Sequence, residues 1–434
     1  MLNPLFWNIL LYLFCFLWLF EKEKRRFSLA TSIILMEVII AFLGFYSFES
    51  GIYQLTFGRK EENHLSFIPY ILNFIAVLII LVPLRNYKII KIRLNNNVKF
   101  IFNILSYVTC VLSLLYSVAL YFVYKAFASL SFAEVYAFER SGEIVSFNIP
   151  LIDFIFTHVY QWINILTPFV FTYNYYNISR NCKVKTSIII ILLVFLLQFA
   201  ACVVLASRGR LFFLFTSLLY FLILFHGMFS KKTKKWVKMI VACFFLLALV
   251  FSILISESRT ENSSQKTTFG GIVRYFGEPF PNLCYSYWNA TNIQHPMGRR
   301  QYYGIYHRID DSINLKLSAG ERQDYWTSYT KVPVYNFKTI YGDLYVEFGI
   351  FIPFVILSCI SSFYLFIRRK MSLVYSVILI YYCYHMCVFG LFDFIAEVGL
   401  FETMIGLILC LFIEFISNFK SRSFKLSRVK NQLI

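Results

Sequence analysis

The sequence predicts an all-α polytopic membrane protein with about eleven transmembrane helices, and three observations carry that prediction. Of its 434 residues 59% are apolar and 20% aromatic, with Phe and Tyr at 50 and 31. That is more apolar surface than a soluble domain of this size can hide. Apolar stretches of the length a bilayer demands, ~20 residues, recur along the chain. Basic residues gather in every second connection between them.

Each stretch has recognisable limits. The first, 4–20, has neither a basic start nor a small-residue cleavage site, so it is expected to remain as a helix and not to leave as a signal peptide. The next, 27–46, follows Arg25 and Arg26; 67–84 stops before Arg85; 98–124 stops before Lys125. Pro150 opens 151–176, Lys185 precedes 186–205, and 211–229 and 239–255 flank a lysine run. After a long polar interval come 343–366, 371–389 and 399–418. The organisation read from this is helices in 1–255, one long loop at 256–342, further helices in 343–418, and a basic tail at 419–434.

Orientation follows from Lys and Arg, which stay on the cytoplasmic side. They cluster in 21–26, 85–93, 180–185, 231–235, 368–370 and 420–430. The connections 47–66, 125–150, 206–210, 256–342 and 390–398 therefore face outward, with the N-terminus outside and the C-terminus inside. The formal charge of +18 consists mainly of these anchors, which argues against a nucleic-acid partner. Of the ten cysteines only Cys284 falls in the long loop, so no disulfide, CxxC or Cys/His metal spacing is expected. No phosphate-binding or dinucleotide glycine motif, internal repeat or cofactor signature is present.

Against this pattern, Arg208 and Arg210 in Leu205-Ala-Ser-Arg-Gly-Arg-Leu211 lie on the outer side. Two cations that break the charge rule are expected to hold an anionic substrate. Arg259 lies at the start of the long loop, just past the eighth apolar stretch; marking the water boundary is the plain alternative. The long loop is dense in Tyr, Trp, Asn, Gln and Arg, as in Tyr285-Ser-Tyr-Trp-Asn289. Aromatic faces stack on sugar rings while amides and guanidinium groups bond hydroxyls and phosphates, a mix that suits a glycan. A headgroup-level aromatic belt is the alternative. Within it His295, Arg299, Arg300, His307 and Arg308 are candidate substrate contacts, with a solvated surface as the plain reading, as is Arg140 beside Glu139 in the second outer loop.

Asp343 and Glu347, four apart, share one helical face, and acidic groups at that depth need a wet cavity or a cation. A helix cap is the simpler role for Asp343. Asp153, Thr157, Gln161 and Asn164 form a second polar stripe, ~80° wide at ~100° per residue, expected to point into the bundle. Asp393 and Glu397 form a similar pair near the last helices.

With these residues in place the chain resembles the bacterial Wzy-type oligosaccharide repeat-unit polymerases of O-antigen and capsule. The likeness lies in the Phe/Tyr/Ile-rich helices, Ser207 to Arg210 at the outer start of a helix, the long late loop, and the run through Asn336, Phe337, Asp343, Phe348 and Gly349. Arg259 and Gly270 match a family spacing of Arg-x10-Gly, whereas Arg208 and Arg210 have no glycine at that distance. The resemblance implies a GT-C-like fold in the bacterial inner membrane with its active site facing the periplasm. It further implies a metal-independent glycosyltransferase, without cofactor, acting on undecaprenyl-pyrophosphate-linked oligosaccharides. A chain-length regulator and a flippase are the partners it implies, beside membrane lipids.

Such chemistry needs donors for a pyrophosphate leaving group, for which Arg208, Arg210 and Arg259 are candidates, and a proton acceptor for the attacking hydroxyl. Asp343 and Glu347 come first for the latter, then His295 and His307, with Asn336 and Tyr341 as substrate contacts. An O-antigen ligase, which uses the same donor, is the nearest alternative, although its family follows the loop histidine with an amide or Ser and here His295 precedes Pro296. A flippase and a non-catalytic assembly protein are the others.

Overall fold

The computed structural model describes residues 3–25, 27–57, 64–85, 96–132, 134–135, 149–260, 268–303, 319–334, 336–368, 373–386 and 402–416. No strand occurs among them. The local sequence explains where helices begin. In α1 (Pro4–Lys22) the Asn3 side chain accepts from the Leu5 amide and proline takes the first turn. In α2 (Leu29–Glu49) Ser28 and Thr31 close a reciprocal capping box. The short α3 (Ile52–Phe57) and then α4 (Ile68–Leu81), which ends in one 3-10 turn through Leu84, lead to α5 (Asn96–Phe127).

The chain next enters Pro150–Phe154, a π turn at Ile155–Val159, and α6 (Tyr160–Ser179). Then follow α7 (Val184–Val204), α8 (Arg208–Phe225) and α9 (Lys231–Thr260). α6 is the hub: residues 165–178 are buried all round, packed among α5, α7, α8 and α15 (Leu373–Met386). Its polar groups are clasped across helices, Gln198 Nε2 donating to Thr167 Oγ1 at 2.8 Å and Asn174 Nδ2 to Ser106 Oγ at 3.3 Å. Such pairing is how polar side chains are accommodated inside apolar bundles.

Around this hub, large apolar side chains such as Phe14, Phe100, Leu246, Val355 and Phe415 face outward. A surface of this kind needs lipid rather than water beside it. Five helices among the described residues, α1, α2, α5, α7 and α9, are long and apolar enough to cross a bilayer. A sixth span results if α13 (Thr339–Phe348) and α14 (Ile352–Arg368) count as one, and three shorter apolar helices lie in 68–84, 214–228 and 373–383. A last helix occupies 402–416.

Two expectations change here. The ninth apolar stretch is not one straight helix, because α13 and α14 meet at 119° across Gly349–Phe351. Gly349 makes the corner at φ 78° and ψ −161°, a conformation essentially reserved for glycine. The stripe from Asp153 to Asn164 is also broken, since the π turn at 155–159 interrupts the 3.6-residue register. Asp153, Gln161 and Asn164 are half-buried.

Part of the long loop belongs to the bundle. α10 (Thr268–Gly277) lies on α2, α11 (Pro279–Asn282) runs into π turns at Leu283–Trp288, and α12 (Ala319–Thr330) follows later in the loop. Phe280, Leu283, Cys284 and Tyr287 share the core with Tyr12, Tyr70 and Phe169. Gly44 and Gly277 permit this approach: a Cβ on Gly277 would stand 2.5 Å from the Leu43 carbonyl oxygen, one on Gly44 2.8 Å from that of Gly277. Cys284 is fully buried, as a core cysteine should be, and accepts from the Ser66 amide at 3.1 Å.

The helix ends also sort themselves. Segments read as outer meet one another: Asn289 Nδ2 donates to the His64 carbonyl at 3.0 Å, and Tyr53 Oη to Asn282 Oδ1 at 2.9 Å. Segments read as inner do the same, with Lys22 Nζ and Arg85 Cζ lying 4.5 and 5.2 Å from the Trp18 ring. The pairing of ends follows the alternation of charge.

Candidate functional site

Where the long loop returns to the helices, four ionisable side chains are buried together. Arg300 Nε donates to Glu347 Oε2 at 3.0 Å and Nη2 to Asp343 Oδ1 at 3.1 Å. Lys338 Nζ reaches the same Asp343 oxygen at 3.1 Å and the carbonyls of Val334 and Asn336 at 2.8 and 3.1 Å. All three ammonium protons thus have acceptors. The other Glu347 oxygen takes the amides of Gly298 and Arg300 at 2.7 and 3.2 Å, and the Met297 amide bonds the Glu347 carbonyl at 3.0 Å. Two cations and two carboxylates compensate one another in the dry interior, as buried charges must.

The local backbone is shaped around this network. Met297 and Gly298 both have positive φ, 56° and 95°, which turns the chain so that successive amides face Glu347. Thr339 stands at φ 69°, a strained setting for a β-branched residue, directly after the buried lysine. Burial disfavours the charge on Arg300, but Asp343 and Glu347 outweigh it and raise its pKa. For Lys338 burial prevails over the attraction of Asp343, Arg300 adds repulsion, and the pKa is lowered. Burial likewise raises the Tyr287 phenol, with Asp343 adding to it; its hydroxyl donates to the Pro333 carbonyl at 2.5 Å.

The sequence-based candidates fall into three groups. Asp343 and Glu347 do share a face, and the cation they meet is Arg300 together with Lys338. Asp343 is not a cap, because the N-cap position of α13 is Lys338 and Asp343 lies inside the helix. Both carboxylates are buried and ion-paired. Arg299 is exposed, whereas Arg300 beside it is buried and belongs to no solvated pair. Tyr341 is fully buried between Tyr345 and Phe354, and Asn336 is buried with its backbone carbonyl on Lys338.

His295 is bonded to the helix that bears the Asp343 and Glu347 carboxylates. Its Nδ1 lies 2.9 Å from the Val346 carbonyl, which can only accept, so Nδ1 carries the hydrogen and Nε2 keeps its lone pair in the neutral ring. Nε2 points toward Gly349, where an added Cβ would lie 3.6 Å away. The ring is half-buried, not plain surface.

Third come the outer arginines. Backbone positions alone are described for Arg208, Arg210 and Arg259, while Arg140, His307, Arg308, Asp393 and Glu397 lie outside the described residues. The backbone gathers the three arginines. Arg208 and Arg210 form the first turn of α8, and Arg259 is one turn beyond Ile255, which packs with Ala206 and Leu211. α10 packs beside α9, and its Tyr275 meets Phe337 edge to face at 4.7 Å, next to Lys338. α10 thus packs against both α9 and the neighbour of the buried Lys338.

Lys338 and Gly298 escaped the sequence reading. No local signal set Lys338 apart, since Lys266, Lys316 and Lys331 lie in the same connection. Among the described residues no group of three or more His, Cys, Asp or Glu is arranged to hold a metal ion. Compared with protein-family models, curated proteins and solved structures, the chain matches none of them.

Proposed function

We propose that this chain is a membrane-embedded glycosyltransferase that polymerises lipid-pyrophosphate-linked oligosaccharide units at the outer face of the bacterial inner membrane. The observation that carries this reading is the gathering of Arg208, Arg210 and Arg259 at adjoining ends of two apolar helices. Cations in the first turn of α8 oppose its dipole, an arrangement that an anion relieves. A pyrophosphate leaving group is such an anion, and guanidinium forks match its oxygens.

In the proposed reaction the acceptor hydroxyl attacks the anomeric carbon of the donor glycan. The bond from that carbon to the pyrophosphate oxygen breaks, the hydroxyl proton passes to His295 Nε2, and the lipid pyrophosphate leaves with its charge held by the arginines. The Arg300 network holds the 295–300 turn rigid, so that histidine and donor meet in fixed geometry. The partners are the lipid-linked oligosaccharide and membrane lipids, with a flippase and a chain-length regulator acting before and beside it. The full count of eleven spans and a GT-C-like arrangement belong to the same proposal.

The test is a polysaccharide gel from a deletion strain complemented with wild type, Arg259→Ala or His295→Ala, with membrane insertion checked by immunoblot. Loss of the long ladder, with one repeat unit still attached to its acceptor, is the expected result. If that single unit also disappears, a ligase replaces the polymerase. Wild-type ladders from both variants would refute the site.

A further inference from the structure

At the opposite, lysine-rich ends of the bundle, α7 and α9 leave a cavity of about 250 Å³ between them, closed behind by α6 and α8. Its walls are apolar side chains, among them Ile188, Phe195, Leu218 and Phe244. Besides the Tyr175 phenol, the polar lining is confined to one end, where Lys232 and Thr233 stand at the start of α9 with Trp236 one turn on. No acidic residue lines it. Lys231, Lys234, Lys235 and Lys238 follow in the same two turns, and the first turn of α9 contains no acid.

An apolar slot with a cationic rim is complementary to one kind of molecule, an amphiphile whose chain is hydrocarbon and whose head is anionic. Left without hydrocarbon the slot forfeits the contacts of its walls, and left without an anion the lysines repel one another at a helix end whose dipole already disfavours them. Trp236, more than half exposed at the rim, has the amphipathic character of residues that settle at headgroup level. We propose that this cavity is a binding site for an anionic glycerophospholipid, with one acyl chain between α7 and α9 and the phosphate on Lys232 and Thr233. The site is independent of the proposed transferase reaction.

The experiment uses the purified full chain in nanodiscs and reads the fluorescence that Trp236 contributes, taken as wild type minus Trp236→Phe. Phosphatidylglycerol or phosphatidylcholine with brominated acyl chains is titrated into a non-brominated phosphatidylcholine background. Saturable quenching by brominated phosphatidylglycerol, at a mole fraction where brominated phosphatidylcholine has little effect, is expected. Lys232→Gln should raise the half-saturating fraction about fivefold, the effect of one lysine near an anionic headgroup. Val237→Trp in the Trp236→Phe background, placed to fill the slot, should reduce bound phosphatidylglycerol measured by native mass spectrometry. Equal quenching by the two lipids, with no response to Lys232→Gln, would overturn the proposal. Displacement of phosphatidylglycerol by an equimolar polyprenyl phosphate would overturn it in favour of an isoprenoid carrier.

Discussion

Arg300 is held by two carboxylates that solvent scarcely reaches, and the consequence is asymmetric. Removing the cation strands Glu347 without its charged partner, whereas removing both leaves an apolar contact of similar volume. Arg300→Met should cost ~3–5 kcal/mol of unfolding free energy, and Arg300→Met combined with Glu347→Met should cost less. Thermal unfolding in detergent decides it, and a double variant less stable than the single one would deny the pairing its role.

Lys338 adds a pH dependence. Its folded pKa lies below the ordinary 10.5, first because of burial, with Asp343 opposing and Arg300 reinforcing the shift. The unfolded chain therefore binds this proton more tightly, so through this residue stability rises with pH between the lowered folded value and 10.5. Melting curves taken at rising pH below 10.5 should show wild type gaining on Lys338→Gln. A gap that is constant over that range would refute the shift. The Asp343–Glu347 spacing could be read from the sequence, but the partner could not, since Arg300 lies forty-three residues from Asp343 along the chain.

Among the elements, α10 and α13 depend on glycine at single points. Gly277→Ala drives a Cβ into the Leu43 carbonyl, a rigid backbone atom, so α10 must move away from α2. The expected loss is ~1–3 kcal/mol, the usual cost of overpacking, read as a lower melting temperature. Gly349→Ala meets only ordinary contact with His295, yet it is strained by the positive φ at the corner between α13 and α14. A loss of ~1–3 kcal/mol is expected there as well. If alanine at either position left the melting curve unchanged, that close approach or that corner would be wrong. The long apolar helices were legible from apolar length alone. The π turn and the 119° break were not, because each answers to packing rather than to local propensity.

For the molecule as a whole, sidedness is the property most open to a direct check. Cys182 is exposed in the connection between α6 and α7, beside Arg180 and Lys183, whereas Cys243 and Cys359 are exposed on apolar helix faces. In intact cells Cys182 should react with a membrane-permeant maleimide and resist an impermeant one. Rapid labelling by the impermeant reagent would invert the orientation and with it the outer placement of the arginines.

Class and alternation of ends were determined by the sequence itself, because apolar length and loop charge are quantities that accumulate along the chain. They require no knowledge of which helix touches which. The joining of Arg300 and Lys338 to Asp343 and Glu347, the enclosure of α10 and α11 within the bundle, and the bond of His295 to the Val346 carbonyl were decided only in the tertiary structure. Each depends on the path by which a late loop folds back onto helices far away in sequence, and a buried charge acquires its role from the neighbour that compensates it.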